Sequence, residues 1–79
     1  MAVIKSFQRL DRRTFKLQPT QVIGHYGTFG DGAHRVLQID TLGSDVREKP
    51  RKQSQTIQLT RDSAEQLWLL LGKEFGFSR

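Results

Sequence analysis

The feature that most constrains the fold of this chain is a change of hydrophobic period at Thr60. Before it, residues 53–59 alternate, with Gln55, Ile57 and Leu59 on one side. Such alternation predicts a strand with one buried and one wet face. After it, apolar residues recur at helical spacing and form a single stripe of Ala64, Leu67, Trp68, Leu71 and Phe75. The sequence therefore predicts a strand that leads directly into an amphipathic helix.

The start of this helix is marked by several local signals. Thr60 is a favourable N-cap, and Asp62 lies in the first turn, where a carboxylate complements the helix dipole. Leu59 and Ala64 occupy the two positions of a hydrophobic staple. We expect the helix to run from about residue 61 to residue 73 or 75, within a C-terminal helical segment 61–77.

Two further strands are expected in the preceding part of the chain. Residues 20–29 are rich in β-branched and aromatic types, and residues 34–42 alternate. Gly30, Asp31 and Gly32 separate them and favour a hairpin turn, because glycine tolerates positive φ. Residues 1–18 show no clean period, and we interpret them as a basic arm that ends in a short strand around residues 15–17.

Strands first and a helix last indicate an α+β fold. We predict one domain over residues 1–79, with a basic N-terminal arm (1–18), an antiparallel sheet of three to four strands (19–60) and a C-terminal amphipathic helix packed on one face of the sheet (61–77).

Self-association is the remaining common way for so small a domain to be stabilised. A chain of 79 residues without cysteine has no disulfide and no cysteine-rich zinc site, and its two histidines alone cannot close a structural zinc site. Leu69 projects roughly 140° from Ala64 around the helix, away from the stripe. We therefore expect a homo-oligomer. Its predicted interface residues are Leu67, Leu69, Leu70 and Leu71; an isolated exposed leucine is the alternative.

Positive charge is concentrated in two short segments, residues 1–18 and 47–52. Such clustering is typical of proteins that bind nucleic acid or another polyanion, although a solvated arm and loop would carry the same charge. On the wet sheet face, Tyr26 is the candidate for base stacking, beside Gln38, Thr56 and Gln58. The candidate nucleic-acid-binding residues are Arg9, Arg12, Arg13, Lys16, Tyr26, Arg35, Lys49, Arg51 and Lys52.

Residues 47–71 resemble one known family. A basic Arg-Glu-Lys-Pro-Arg-Lys segment is followed by Ile57, Gln58 and Leu59, a polar Thr60 and a tryptophan-bearing helix. This order is similar to the C-terminal part of the positive-cofactor-four family of transcriptional coactivators, which bind single-stranded DNA. The resemblance implies that Arg51 and Lys52 contact phosphate and that the helix mediates dimerisation through the region of residues 67–71.

Residues typical of catalysis or metal binding lack the spacing that such chemistry needs. Gly27 and Gly32 have the spacing of a phosphate-binding loop, but Ala33 and His34 follow where lysine and a hydroxyl residue are required. His25 and His34 flank the expected turn with no specific ligand pattern. We predict no catalytic residue, no metal site, no cofactor and no enzymatic activity; a site formed between subunits is the open alternative.

No apolar run approaches the roughly 20 residues of a membrane span. We expect a cytoplasmic protein that has no membrane partner. Its expected partners are itself and either a nucleic acid or an acidic protein. A protein-interaction or structural accessory module with no role in nucleic-acid binding is the second function that the sequence leaves open.

Overall fold

The computed structural model describes residues 1–42 and 53–77 as a four-stranded sheet and one helix. The strands are β1 (Ala2–Ile4), β2 (Gly24–Phe29), β3 (Val36–Leu42) and β4 (Gln53–Leu59), and the helix is α1 (Arg61–Phe75). The spatial order of the strands is β1-β4-β3-β2. The α+β class and the C-terminal helix are confirmed.

The sheet is mixed and not purely antiparallel as expected. β2, β3 and β4 are antiparallel to their neighbours, whereas β1 runs parallel to β4, with Ala2 opposite Ile57 and Ile4 opposite Leu59. The start of the predicted arm thus belongs to the sheet. Residues 15–17, expected as a short strand, are irregular.

A tight turn joins β2 to β3. Gly30 and Gly32 have φ of 85° and 54°, and a short 3₁₀ turn covers Gly32–His34. Arg35 stabilises this turn by donating hydrogen bonds to the carbonyl oxygen of Gly30 and to Oγ1 of Thr28, at 2.9 and 2.7 Å. The positive φ values explain why glycine stands at both positions.

The N-terminus of α1 is closed as the sequence predicts. The Ser63 amide donates to Oγ1 of Thr60, and the Thr60 amide donates to Oγ of Ser63. This reciprocal pair is a capping box, here with serine in the place of the usual glutamate. At the other end, Gly76 adopts the left-handed conformation with φ 72° and closes the helix.

The core of the described part is small. Leu59 is its one buried apolar residue, at 3% exposure, and it lies where β4 meets α1. Leu59, Leu37 and Thr28 form one wall of a cleft of about 430 Å³ whose other wall includes Ala64 and Trp68 of α1. The helix therefore lies on the sheet face that carries Leu37 and Leu59.

The two turn glycines provide a matched stability test. At both positions an alanine would be held at positive φ, which costs roughly 1–2 kcal/mol. At Gly30 its Cβ would also collide with the His34 backbone, whereas at Gly32 nothing lies within 4 Å. We expect Gly30→Ala to lower the free energy of unfolding clearly more than Gly32→Ala does, as measured by urea denaturation. Equal losses would show that the turn relaxes.

Candidate nucleic-acid interface

The N-terminal segment is held against α1 by one glutamine. The side-chain amide of Gln66 donates to the carbonyl oxygen of Phe7 at 2.8 Å, and its oxygen accepts from the Phe7 amide at 2.9 Å. Arg9 adds an ion pair with Glu74 at 3.7 Å, although the Arg9 side chain is 87% exposed, so that this pair contributes little. The two hydrogen bonds between Gln66 and Phe7 therefore fix the position at which the basic arm meets the helix.

An apolar groove lies between the arm and the helix. It encloses about 460 Å³, and it is bordered by Arg9 and Arg12 on the arm and by Gln66 and Glu74 on α1. Its apolar lining consists of Phe7, Leu10, Phe15, Leu70, Leu71 and Phe75. Leu70 and Leu71, predicted as interface residues, thus face the chain's own arm across this groove.

The arm cations are exposed and largely without carboxylate partners. The guanidinium of Arg12 lies 5.5 Å from the centre of the Phe15 ring, a cation–π contact. Arg13 and Lys16 are exposed, and within residues 1–42 and 53–77 neither makes an ion pair. Arg12, Arg13 and Lys16 therefore lie on one exposed segment, with Arg12 over an aromatic ring, and their charges are not neutralised by described acids.

Arg35 lies at the β2–β3 turn and has a structural role there. Two of its five N–H groups are used by Gly30 and Thr28. The candidate residues Lys49, Arg51 and Lys52, and with them the whole basic segment 47–52, lie outside the described residues.

The sheet face opposite α1 carries an ordered row of polar side chains. Gln58 Nε2 donates to Gln38 Oε1 at 2.9 Å, and Gln38 Nε2 donates to Asp40 Oδ1 at 3.1 Å. Thr56, which is buried, donates its hydroxyl to the same Asp40 oxygen at 3.0 Å. Because the Gln38 amide donates to Asp40 and accepts from Gln58, its orientation is fixed within this row.

Tyr26 lies on the other side of the sheet from this polar row. It is paired with Ile39, and Ile39 with Ile57, so Tyr26 belongs to the apolar face, contrary to the expected grouping with Gln38, Thr56 and Gln58. The register places His25 opposite Asp40 on the polar face, and Phe29 shares that face by alternation. Tyr26 remains accessible at 79% exposure.

The C-terminal end of the helix exposes a second apolar surface, which we call the helix-tip patch and define as Trp68, Leu69, Phe75 and Phe77. Each of these residues is more than half exposed, and the rings of Phe75 and Phe77 stack at 5.6 Å. Trp68 and Phe75 belong to the stripe that was expected to pack on the sheet; Trp68 borders the cleft between sheet and helix but is still 57% exposed, and Phe75 is 68% exposed. Leu69, at 61% exposure, is as accessible as predicted; Leu67 is half-buried.

Among the residues that the structure describes, no three histidine, aspartate or glutamate side chains are grouped as metal ligands. Within the same residues there is no helix with the length and apolar character needed to cross a lipid bilayer.

The sequence matches no protein-family model, and comparison with curated proteins and with solved structures finds no similar protein. The resemblance to the positive-cofactor-four family therefore stays a prediction.

The Gln66 contact can be tested by removing it. We expect Gln66→Ala to release the arm from α1, with a loss of about 1 kcal/mol in the free energy of unfolding, because each hydrogen bond contributes roughly 0.5–1.5 kcal/mol net. The Phe7 amide should lose its protection in hydrogen exchange. Glu65→Ala, one position earlier on the helix, is the control; equal effects of both variants would contradict the assignment.

The helix-tip patch gives a second prediction. Leu69→Asp should weaken self-association, seen by light scattering, without loss of helix content by circular dichroism, because an exposed leucine contributes little to the monomer. Leu17→Asp, a similar change at an exposed arm position, is the matched control. Unfolding of Leu69→Asp with unchanged association would instead show that this leucine is part of the core.

Proposed function

We propose that this chain is a non-enzymatic module that self-associates and binds single-stranded nucleic acid, or a comparable polyanion, through its basic segments. The observation that carries the proposal is the arm itself. Arg12, Arg13 and Lys16 stand exposed next to Phe15, and within the described residues no carboxylate neutralises them. The proposal locates the module in the cytoplasm, in keeping with its cysteine-free sequence.

The combination of cations with exposed aromatic rings favours single strands as the ligand. Single-strand binders use a cationic track for the phosphates and aromatic faces on which bases stack. Phe15 and Tyr26 are both more than half exposed, and the Arg12 guanidinium already lies over the Phe15 ring. Any base can stack on such a ring, because every base has a π-face.

A second candidate, an assembly module for a protein partner, is favoured by the helix-tip patch. Its three aromatic rings and Leu69 are exposed together, and contiguous exposed apolar surface marks interaction sites. An acidic protein would in addition complement the arm. The two candidates differ in one measurement, because only the first requires an oligonucleotide to bind.

The proposal is tested by fluorescence anisotropy with a labelled random single-stranded oligonucleotide at several salt concentrations. We expect binding at ~50 mM salt with a log–log salt slope of about −0.7 for each phosphate neutralised. Arg13→Glu with Lys16→Glu should weaken binding and make the slope shallower. Arg51→Glu with Lys52→Glu should abolish binding, as the sequence resemblance implies.

The matched control is Arg61→Glu with Lys73→Glu, which changes the net charge by the same amount on the helix. It should keep most of the affinity. Absence of binding at ~50 mM salt with micromolar protein would remove the nucleic-acid proposal. Equal losses in the arm and helix variants would show that only the net charge matters.

A further inference from the structure

The two edges of the sheet differ in a way that points to a partner strand. β1 forms one edge with three residues, and β2 forms the other with six. Every residue of β2 is exposed, and one side of its backbone has no neighbouring strand among the described residues. Such an edge presents unpaired N–H and C=O groups that can pair with another strand.

Proteins commonly protect sheet edges with short strands, charged residues, proline or bulges. The β1 edge is protected in the first of these ways, because β1 is only three residues long. β2, with the sequence Gly-His-Tyr-Gly-Thr-Phe, has no lysine, arginine, acid or proline. Its pairing with β3 also runs without a bulge from Gly24 to Phe29. Among the residues that the structure describes, β2 is therefore the less protected edge of the sheet.

We propose that β2 pairs antiparallel with β2 of a second copy of this chain, so that two four-stranded sheets join into one continuous sheet. The proposal rests on the self-association part of the proposed function and names an interface other than the helix-tip patch.

The occupant is a second copy because β2 is compatible with itself. No like charges meet when two uncharged strands pair, and a two-fold axis closes the contact, as in most dimers. The exposed rings near the edge become covered: Tyr26 is 79% exposed and Phe29 is 52% exposed. With aromatic side chains of about 150–250 Å² each, these two residues expose roughly 200–330 Å² in each copy. Even if fully covered in both copies, these rings supply roughly 400–660 Å² in total, below the ~1,200 Å² at which standard stable interfaces begin, so the edge contact alone predicts a weak dimer.

Symmetry and the length of β2 together limit the register to two choices. A two-fold axis perpendicular to the sheet pairs residues whose side chains share a face, so one residue of β2 must lie opposite its own copy. Only Tyr26 or Gly27 at that place leaves five of the six strand residues paired; with Gly27 there, His25 faces Phe29 of the second copy. In both arrangements the polar faces of the two sheets become continuous.

Cysteine cross-linking distinguishes these arrangements, because the chain has no cysteine of its own. Tyr26→Cys and Gly27→Cys each place one thiol near the axis. Gly27 tolerates the change, since nothing lies within 4 Å of a Cβ built there. Opposed residues of antiparallel strands are about 4.5–5.5 Å apart at Cα, which suits a disulfide.

Under mild oxidation we expect one of the two variants to form a disulfide-linked dimer about tenfold faster than the exposed control Thr20→Cys, a difference typical of specific thiol proximity. Leu69→Cys reports on the helix-tip patch in the same assay. If neither β2 variant exceeds the Thr20→Cys rate, the β2 pairing is wrong, whether or not Leu69→Cys cross-links.

Charge at the edge gives a second readout. Tyr26→Lys adds a protecting lysine and should raise the dissociation constant of the dimer about tenfold, by sedimentation over micromolar concentrations, while leaving circular dichroism unchanged. Leu17→Lys adds the same charge on the arm and should not. Equal dissociation constants for Tyr26→Lys and wild type would overturn the proposal.

The two proposals can fail separately. A dimer with β2 cross-links that binds no oligonucleotide supports the β2 pairing and contradicts only the nucleic-acid proposal. A monomer that binds an oligonucleotide supports the nucleic-acid proposal and contradicts the β2 pairing.

Discussion

The burial of Leu59 is the contact on which the described fold depends. This residue ends β4, one of the two strands that pair on both sides, and Ile4 and Leu37 lie directly opposite it in β1 and β3. One residue later Thr60 caps the helix. A single side chain thus joins three strands and the start of α1, and a large-to-small change here would remove the one fully buried apolar group of the described residues.

The elements around Leu59 were the ones that the sequence predicted best, for a physical reason. Alternation in β4, the Thr60 cap and the helical stripe are local signals carried by adjacent residues. The bounds of β4 match, and α1 ends at the outer of the two expected residues. The parallel pairing of β1 joins residues more than 50 positions apart in the sequence. A run of three apolar residues is too short to show a period, so the sequence alone did not predict this strand.

The candidate site could be predicted only in part, because it depends on contacts between distant residues. The arm was found from its charge, but its position along α1 is set by Gln66, 59 residues from Phe7, and an exposed helical glutamine carries no such signal. Tyr26 was assigned to the wrong sheet face. In a glycine-rich strand the apolar pattern is weak, and the face is decided by the register with β3.

Two separate surfaces, the β2 edge and the helix-tip patch, bear on how copies of this chain assemble. Each surface can pair with the same surface of a second copy: the edge through its backbone N–H and C=O groups, and the patch through its aromatic rings. A protomer that uses one isologous contact forms a closed dimer, whereas a protomer that uses two forms either a closed tetramer with dihedral symmetry or an open chain. The net charge of +5 opposes open growth, because copies added without closure accumulate repulsion. If both proposals hold, a polyanion that neutralises the arms would reduce that repulsion, and ligand binding would then be coupled to the size of the assembly through the same charges.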